Sequence, residues 1–519
     1  MADIVLTTLN AKYIHAAFGL RCLLANLGPL RPRAGLVEFD IHQRPLDIVE
    51  VLLAQNPKII GFGIYIWNVG PAAEVVAAIK RIRPDVTIIL GGPEVSYETE
   101  SQPIARLADH VITGEADLKF AEVCRVLLGQ DAQQPVPAPL PKIIPAELPD
   151  FSQLVLPYDL YTGDDIAHRI IYVEASRGCP FSCEFCLSSL DIPVRQAPLP
   201  ALLGHLQGLL DRGVKQFKFV DRTFNLNAAV GRTILGFFLE RYRPGHFFHF
   251  EMVPDRLPET LREVIARFPS GALQFEVGVQ TFNEHTAKLI ERRQNLPRLE
   301  DNLRFLREQT GVHIHADLIA GLPGEDVGSF AAGFDRLLAL GPQEIQVGIL
   351  KRLRGTPIVR HDAEWQMAYN PHPPYEILQN KLIDFATMQK VRRFARYWDL
   401  VGNSGNFVRT APLIWANARS PFAAFMRWSE WLHDRVGRTD SIALVRLMEL
   451  LFRFLADELR LDPRMTAETL WADYHHGGRH DKPAFLKEWL APLEHVRPSQ
   501  KSRRTLPKRQ ERHLTDRPT

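Results

Sequence analysis

The chain has 519 residues, of which 46% are hydrophobic and 24% charged, and its net charge is +2. This length exceeds one hydrophobic core, so we expect two or three domains. The balanced charge does not favour a nucleic-acid partner, and no apolar run approaches the roughly 20 residues needed to cross a bilayer. The first residues predict a β-strand and not a secretory signal, so we expect a cytoplasmic protein.

Residues 1–129 alternate short apolar strand patterns with helical patterns. The predicted strands are 4–9, 36–41, 59–66, 86–90 and 110–112. Fully apolar strands separated by helices are typical of a parallel sheet that is covered on both faces. We therefore predict an α/β domain of the doubly wound, Rossmann-like type, whose ligand binds beyond the carboxyl ends of the strands.

Four further segments follow. Residues 130–168 are rich in proline and lack periodicity, which predicts a flexible linker. Residues 169–360 contain six strand–helix units and predict a partial (β/α)6 barrel of the TIM type, with reactive groups on loops at the carboxyl ends of its strands. Helical periodicity predicts an α-helical domain over 361–496. The basic residues 497–519 predict a disordered tail, with binding to a polyanion as the alternative.

Three of the five cysteines lie within eight residues, at Cys179, Cys183 and Cys186. They follow the first predicted barrel strand, so one loop can present three thiolates. Thiolates are the usual ligands of iron–sulfur clusters, and a [4Fe–4S] cluster ordinarily takes four. Three ligands leave one iron with an open position, which distinguishes a catalytic metal centre from a structural one. A zinc site or an electron-transfer cluster is the alternative, although no fourth ligand follows before His205.

This loop has the form Cys-x3-Cys-x2-Cys with Phe185 before the last cysteine, and it resembles the signature of radical S-adenosylmethionine (SAM) enzymes. A doubly wound domain ahead of the barrel resembles the cobalamin-binding branch of that superfamily. The resemblance implies a [4Fe–4S] cluster whose open iron is chelated by SAM, and reductive cleavage of SAM to methionine and a 5′-deoxyadenosyl radical. It also implies cobalamin, a small-molecule substrate, and an electron donor such as ferredoxin or flavodoxin.

Further segments match places where this branch binds SAM. The residues that the resemblance assigns to SAM are Phe185, Asp221, Glu251, Glu276, Gln280, Ile319 and Gly321. A carboxylate such as Glu276 suits the ribose, because it can accept hydrogen bonds from two hydroxyls. Small residues such as Gly321 let the adenine approach the backbone. Asp317 departs from the glycine that is common in the superfamily. For each polar residue, a salt bridge or a cap is the structural alternative.

Two loops of the first domain match the cobalamin-binding loops of this branch. The residues that the resemblance assigns to cobalamin are Gly91, Gly92, Gly114 and Glu115. Glycine allows the backbone to approach a wide, flat macrocycle. Members that ligate cobalt use an Asp-x-His-x-x-Gly motif after the first strand. His15 lacks the preceding aspartate, and His42 follows the second strand, so we predict that no histidine of the chain binds cobalt.

The resemblance therefore implies a cobalamin-dependent radical SAM enzyme that methylates or rearranges an unactivated carbon of a small molecule. A methylthiotransferase acting on tRNA is one alternative, but it requires three further cysteines, and Cys22 and Cys124 have the spacing of buried core residues. A non-enzymatic redox or cobalamin sensor is the other, and it would form no 5′-deoxyadenosine. We expect the helical domain to close the substrate side, with 369–375 and 397–399 as candidate lining segments.

Overall fold

The computed structural model describes residues 2–129, 140–191, 193–479, 481–490 and 506–514. The chain folds into two compact units. The first comprises Met1–Arg222, Lys351–Val359 and Asn370–Glu376, and the second comprises Thr223–Leu350, Arg360–Tyr369 and Ile377–Thr519. Among the described residues, no helix combines the length and apolar character that a membrane crossing requires.

The first unit begins with a parallel sheet whose strand order is β2-β1-β3-β4-β5-β6. Its strands are β1 (Ile4–Asn10), β2 (Ala34–Asp40), β3 (Ile59–Gly63), β4 (Thr87–Gly91), β5 (His110–Thr113) and β6 (Ile143–Pro145). The helices between them are α1 (Phe18–Ala25), α2 (Pro45–Ala54), α3 (Val69–Ile82), α4 (Pro103–Leu107) and α5 (Lys119–Leu127). Val5 and Ile4 of β1 belong to separate apolar cores, because neighbouring residues of a strand face opposite sides. The predicted doubly wound sheet is confirmed, with one strand more than predicted.

The additional strand lies in the segment that we predicted to be a flexible linker. β6 pairs with β5, and its Pro145 is tolerated because β6 is an edge strand. Tyr158 and Tyr161 are buried and donate hydrogen bonds to the backbone, and α6 (Gly163–His168) follows. The expectation of a flexible coil therefore does not hold for 143–168. Residues 130–139 of the predicted linker lie outside the described residues.

The first unit also contains the beginning of the predicted barrel. β7 (Ile171–Val173) pairs in parallel with β10 (Gln216–Phe219), and α7 (Leu199–Asp211) precedes β10. Between them, β8 (Ser176–Arg177) and β9 (Arg195–Gln196) form a short antiparallel pair. This pair, with the residues between its strands, is called the cysteine hairpin below.

Four parallel strands in consecutive order form the sheet of the second unit. They are β11 (Phe247–Met252), β12 (Leu273–Gln280), β13 (His313–Ala320) and β14 (Glu344–Ile349). The accompanying helices are α8 (Ala228–Glu240), α9 (Glu259–Ala266), α10 (Glu284–Leu289), α11 (Leu296–Gln309) and α12 (Val327–Ala339). All six strands predicted for the barrel are thus present, β7 and β10 in the first unit and the other four here.

The rest of the second unit is mostly helical, as predicted. After the small hairpin β15 (Ala368–Tyr369) and β16 (Ile377–Gln379) come α13 (Phe385–Val401), α14 (Pro421–Val436), α15 (Leu444–Arg453) and α16 (Pro463–His476). A π-helical turn, Phe454–Glu458, extends α15. The basic tail includes α17 (Lys508–His513), whose Arg509 pairs with Glu344 and Asp399. A disordered tail is therefore the wrong description of 506–514, because the buried Glu344 and the partly exposed Asp399 hold Arg509.

Candidate functional site

The three cysteines lie on the cysteine hairpin, directly after β8. The backbone N–H of Cys179 donates to the carbonyl of Asp191 at 3.0 Å, and that of Cys186 donates to Cys183 at 3.1 Å. Gly178 has a φ of +90°, and a Cβ on it would lie 2.8 Å from the carbonyl oxygens of Asp191 and Pro193. Only glycine fits such a position without moving the backbone. The two ends of the loop therefore lie in close backbone contact at Gly178 and Cys179.

Asp221 supports this loop from below. Its carboxylate accepts hydrogen bonds from the backbone N–H of Ala175 at 2.9 Å and from the Ser176 hydroxyl at 2.6 Å. Burial raises the pKa of Asp221 to about 7, against the opposing effect of these two hydrogen bonds, and the nearby Glu174 raises it further. The resemblance assigned Asp221 to SAM, whereas the structure gives both of its carboxylate oxygens partners within the loop.

The donor set of the hairpin suits an iron–sulfur cluster. Cys183 is buried, whereas Cys179 and Cys186 are partly exposed. Thiolates are the usual cluster ligands, and in a cubane each binds a different iron. Within the described part of the chain, no three Cys, His, Asp or Glu side chains are grouped closely enough to hold one metal ion. The ring of Phe185, next to Cys186, is partly exposed.

The residues that the resemblance assigned to SAM on β11 and β12 are neighbours in the sheet of the second unit. Glu251 of β11 is the register partner of Glu276 of β12. The imidazole of His249 lies 3.0 Å from the Glu276 carboxylate. Gln280 ends β12 at a bulge. Its backbone φ is +70°, a value that residues other than glycine rarely adopt. β12 therefore carries an acidic side chain in its middle and a glutamine with a strained backbone at its carboxyl end.

Two residues that we did not predict hold this end of β12. The guanidinium of Arg292 donates to the carbonyl of Gly278. The amide of Gln294 donates to the carbonyls of Val279 and Thr281 at 3.1 and 3.0 Å. Both also line a cleft of about 830 Å³. The sequence could have indicated these residues only through the run Arg292-Arg293-Gln294, which follows the short helix α10. Such a polar run is also common on exposed surfaces.

The loop after β13 contains a second group that we did not predict. Glu325 is buried and accepts hydrogen bonds from the hydroxyls of Thr281 at 2.7 Å and Ser329 at 3.3 Å. Burial, the largest effect, raises its pKa to about 7, although the two hydroxyls act in the opposite direction. Glu325 thereby joins this loop to the end of β12.

The structure gives Gly321 a partner other than adenine. Gly321 has a φ of +91°, and a Cβ on it would lie 2.6 Å from Ile377 and 3.1 Å from Met388. The amide of Asn380 donates to its carbonyl at 3.3 Å. Close packing against the chain around β16 and α13 is therefore sufficient to require a glycine here. Ile319, two residues earlier, is partly buried on β13.

In the first unit, the loops assigned to cobalamin surround a cavity of about 280 Å³. Its lining includes Gly91, Gly92, Gly114, Glu115, Asp117, Phe18, Cys22, Tyr65, Glu174 and Arg177. Gly92 has a φ of +105°, and a Cβ on it would lie 2.5 Å from the carbonyl of Ile64. Gly92 is thus required by the neighbouring backbone, whatever the ligand. The carboxylate of Glu115 is paired with Arg177 and Arg195.

His15 lies at the junction between the first sheet and β7. Its Nδ1 lies 2.6 Å from the hydroxyl of Tyr172. Burial is the main cause that lowers the pKa of His15, with the charges of Lys218 and Lys12 acting in the same direction. The structure thus shows His15 bound to Tyr172, and the prediction that no histidine binds cobalt stays a prediction.

The two segments expected to line the substrate differ in their surroundings. In the first unit, the hydroxyl of Tyr375 donates to Glu94 at 2.7 Å, on the loop that follows β4. In the second unit, Tyr397 is buried and donates to the carbonyl of Arg438 at 2.8 Å. The ring of Trp398 lies at the centre of an aromatic cluster that contains Phe334. Tyr397 and Trp398 are therefore core residues, and only the Tyr375 segment reaches a predicted cofactor loop.

Three stretches of the chain match family models. Residues 4–124 match the family described as B12 binding domain, and residues 173–336 match the Radical SAM superfamily. Residues 363–516 match a family described as Protein of unknown function (DUF4080). The first two matches identify cobalamin, a [4Fe–4S] cluster and SAM as the cofactors.

Solved structures of cobalamin-dependent radical SAM enzymes have a similar fold. OxsB with aqua-cobalamin bound aligns with a TM-score of 0.62 and 15% identity, over 94% of this chain and 83% of OxsB. TsrM from Kitasatospora setae, with cobalamin and a [4Fe–4S] cluster bound, aligns with a TM-score of 0.56 and 16% identity, over 70% and 75% of the two chains. The fold class predicted from the sequence is confirmed.

Two curated relatives match shorter stretches. The uncharacterized methyltransferase PH0819 of Pyrococcus horikoshii is 30% identical over 201 residues, which are 35% of this chain and 43% of that protein. The ribosomal protein uS12 methylthiotransferase RimO of Pelobacter propionicus is 25% identical over 182 residues, 32% and 40% of the two chains. The matched stretch thus spans less than half of either relative.

Proposed function

Because the chain belongs to the radical SAM proteins that carry a B12-binding domain, we propose that it is an enzyme that methylates or rearranges an unactivated carbon of a small molecule. The bound cofactors supply one-electron cleavage of SAM to methionine and a 5′-deoxyadenosyl radical, and a methyl group on cobalamin. One observation carries the proposal: Arg177, two residues before Cys179, also lines the cavity that the predicted cobalamin loops surround. We place the enzyme in the cytoplasm, with ferredoxin or flavodoxin as electron donor.

Cys179, Cys183 and Cys186 hold the cluster in this proposal, and Asp221 keeps their loop in shape. A carboxylate that accepts bonds from Ala175 and Ser176 fixes the start of the hairpin, so the thiolates need little reordering when the cluster is inserted. Asp221 is thus a positioning residue, whereas the cysteines are the ligands.

Glu276 and Gln280 remain our assignments for the SAM ribose, and Arg292 and Gln294 orient them. The two supporting residues donate to the carbonyls of Gly278, Val279 and Thr281, so the end of β12 cannot move without breaking three hydrogen bonds. Glu251 of β11 lies beside Glu276 in the sheet and provides a second hydrogen-bond acceptor there. Carboxylates and amides are suited to hydroxyl groups because they accept more than one hydrogen bond.

The cavity in the first unit accommodates a part of cobalamin in this proposal. Ligand pockets for drug-sized molecules measure about 300–1,000 Å³, so a cavity of about 280 Å³ would hold an appendage of cobalamin and not the whole cofactor. The glycines Gly91, Gly92 and Gly114 leave its rim free of side chains. Glu115 acts on the cavity indirectly, because it binds Arg177 and Arg195.

A methylthiotransferase is less well supported, although some relatives carry that name. The three hairpin cysteines leave only Cys22 and Cys124 for a second cluster, and both are buried. Burial raises the pKa of the Cys22 thiol well above its ordinary range and that of Cys124 to about 12. Protonated, buried thiols are poor metal ligands, because the thiolate is the ligating form.

The proposal is tested by anaerobic purification with cobalamin, reduction in the presence of SAM, and quantification of 5′-deoxyadenosine. We expect the wild-type protein to form it and to bind cobalamin. The variant Cys179→Ala/Cys183→Ala/Cys186→Ala should lose the cluster absorbance and the product but keep cobalamin. Cys124→Ala is the matched control and should behave as the wild type. Formation of 5′-deoxyadenosine by the triple variant, or no cobalamin binding by the wild type, would refute the proposal.

A further inference from the structure

Arg177 connects the cysteine hairpin to the loop that follows β5. Its Nη1 donates to Glu115 Oε2 at 3.0 Å and to Asp117 Oδ2 at 2.9 Å, and its Nη2 donates to Asp117 Oδ1 at 3.1 Å. The planar guanidinium has five N–H donors, so one side chain can bind several carboxylates at once. Arg177 therefore holds both acidic residues of a loop that lies 60 positions earlier in the chain.

The guanidinium of Arg177 is also fixed from its own side. Nε and Nη2 donate to Glu174 at distances from 2.7 to 3.1 Å. Its carbon lies 5.1 Å from the ring centroid of Phe151, within the range of a cation–π contact. With carboxylates on two sides and an aromatic ring beside it, the side chain has one orientation that satisfies all its partners.

Arg195 makes a second connection from the other strand of the hairpin. Arg195 of β9 is the register partner of Arg177 of β8. Its Nη1 donates to Glu115 at 2.9 Å and its Nη2 donates to the Asp191 carboxylate at 2.7 Å. The carbonyl of Asp191 accepts the backbone N–H of Cys179. Glu115 thus binds both strands of the hairpin, and one of these connections continues to the first cysteine.

These groups also form a wall of the cavity described above. Glu174 and Arg177 line it from the hairpin side, and Gly92, Gly114 and Asp117 line it from the first sheet. Because the arginine–carboxylate bonds just described join the two sides, a displacement of the hairpin changes the shape of the cavity. A ligand in the cavity and a cluster on the cysteines would therefore act on the same set of bonds.

We propose that Arg177 and Arg195 make cobalamin binding and cluster binding mutually dependent, an inference that rests on the proposed function. A cluster on three cysteines orders the hairpin, and the ordered hairpin holds Glu174 and Arg177 in place as the cavity wall. Cobalamin in the cavity stabilises the same arrangement from the other side. By linkage, each cofactor raises the affinity for the other by the same factor. Arg177 and Arg195 are positioning residues, because they act through Glu115 and Asp117.

The test compares the cobalamin dissociation constants of cluster-loaded and cluster-free full-length protein, from anaerobic absorbance titrations. We expect the loaded wild-type protein to bind about 5- to 150-fold more tightly, the usual range of coupling between two sites. In Arg177→Met and in Arg195→Met this ratio should fall towards one. Arg83→Met is the matched control, since Arg83 of the same unit pairs with Asp85 at the surface, and it should keep the wild-type ratio.

One further variant, the Arg195→Met variant already named and one further measurement separate coupling from simple loss of structure. Arg177→Lys keeps the positive charge but lacks the planar guanidinium that binds several carboxylates at once. We therefore expect a ratio between those of the wild-type protein and Arg177→Met. Arg195→Met leaves every bond of Arg177 intact and tests the inference alone if Arg177→Met does not fold. Hydrogen exchange on the cofactor-free protein should show faster exchange in Arg177→Met both within 176–196 and within 114–117.

The outcomes are distinguishable. A ratio near one in the wild-type protein overturns the inference and leaves the proposed function intact. A wild-type ratio that persists in both methionine variants also overturns it, because the coupling would then run through other residues. Absence of cobalamin binding by the wild-type protein overturns both the inference and the proposed function.

Discussion

Gly178 combines a left-handed backbone with two carbonyl groups close to its α-carbon. A Cβ would lie 2.8 Å from the oxygens of Asp191 and Pro193, and backbone atoms cannot move aside as a flexible side chain can. We expect Gly178→Ala to destabilise the hairpin by about 1–3 kcal/mol and to lower the iron content after anaerobic reconstitution. Gly208→Ala in α7 is the control, because nothing lies within 4 Å of its Cβ. Wild-type iron content in Gly178→Ala would contradict the prediction.

Asp221 makes the stability of the hairpin depend on pH. Its pKa of about 7 in the folded protein lies above the ordinary value of 3.8, so the folded state binds more protons than the unfolded state between those values. Stability therefore falls as the pH rises from about 4 to 7, by up to about 4 kcal/mol, and is constant above. Asn can still accept the bond from Ala175 and carries no charge.

We therefore expect Asp221→Asn to gain stability relative to the wild-type protein as the pH rises. Urea unfolding of the cluster-free proteins, measured in steps from pH 4 to pH 8, provides the comparison. The difference between the two proteins should be smallest at pH 4, since the wild-type carboxyl is then protonated in the folded state and partly protonated in the unfolded state. Parallel pH profiles would show that Asp221 ionises without cost and would refute the assigned pKa.

The partners of single residues explain where sequence analysis reached its limit. The cysteines are recognisable because their spacing is local. The partners of Glu115 and Asp221 lie 80 and 45 residues away, at Arg195 and Ser176, and no local pattern indicates them. The sequence thus marks a position as important before it can tell whether the side chain meets a cofactor or another side chain.

At the scale of elements, α17 binds the amino ends of three neighbouring strands of the second unit. Arg509 pairs with Glu344 of β14 at 2.8 Å, Gln510 donates to Gln274 of β12, and the rings of His513 and His313 of β13 are 5.2 Å apart. Burial acts to raise the pKa of Glu344, but the hydrogen bond from His313 and the charge of Arg509 outweigh it and lower the pKa to about 2.

Removing the charge of Arg509 should therefore destabilise the second unit. Glu344 is 2% exposed and Arg509 is 35% exposed, so screening reduces the effect and we expect a loss of about 1–2 kcal/mol for Arg509→Met. The loss should be complete above pH 4.5 and should shrink as the pH falls towards 2, because Glu344 then takes up its proton. Thermal unfolding measures it, and Lys508→Met, on an exposed position of the same helix, is the control. Equal losses in the two variants would argue against a specific ion pair.

Elements with a clear hydrophobic pattern could be predicted from the sequence, and short elements could not. Every predicted strand of both sheets is present, because each shows the run or the alternation of apolar residues that is typical of a strand. β6 was missed because three residues ending in a proline resemble a linker, and β8 and β9 because two residues show no period. α17 was missed because its stability comes from Glu344 and Asp399, which lie more than 100 residues earlier.

At the scale of the whole molecule, the chain leaves the first unit at Arg222 and returns to it twice. On the returning segments, Arg354 donates to Glu94 at 3.0 Å and to the Tyr375 hydroxyl at 2.9 Å, and Tyr375 donates to Glu94. Glu94 follows Gly91 and Gly92 in the loop after β4. The rim of the cavity is therefore held by residues about 260 and 280 positions later, so a fragment ending at Arg222 would contain this loop but lack the side chains that hold it.

Two neighbouring arginines of the returning segment 351–359 should differ in how strongly their replacement disturbs the cavity rim. Arg354 is 18% exposed and binds the buried Glu94, whereas Arg352 is 31% exposed and pairs with the equally exposed Glu98. Losing one partner of a buried pair costs far more than losing an exposed pair, which contributes about 0–1 kcal/mol. We expect Arg354→Met to accelerate hydrogen exchange in 91–96 and to weaken cobalamin binding, while Arg352→Met changes both little. If the two variants behaved alike, the returning segments would be passive connections, and the cavity rim would depend on the first 222 residues alone.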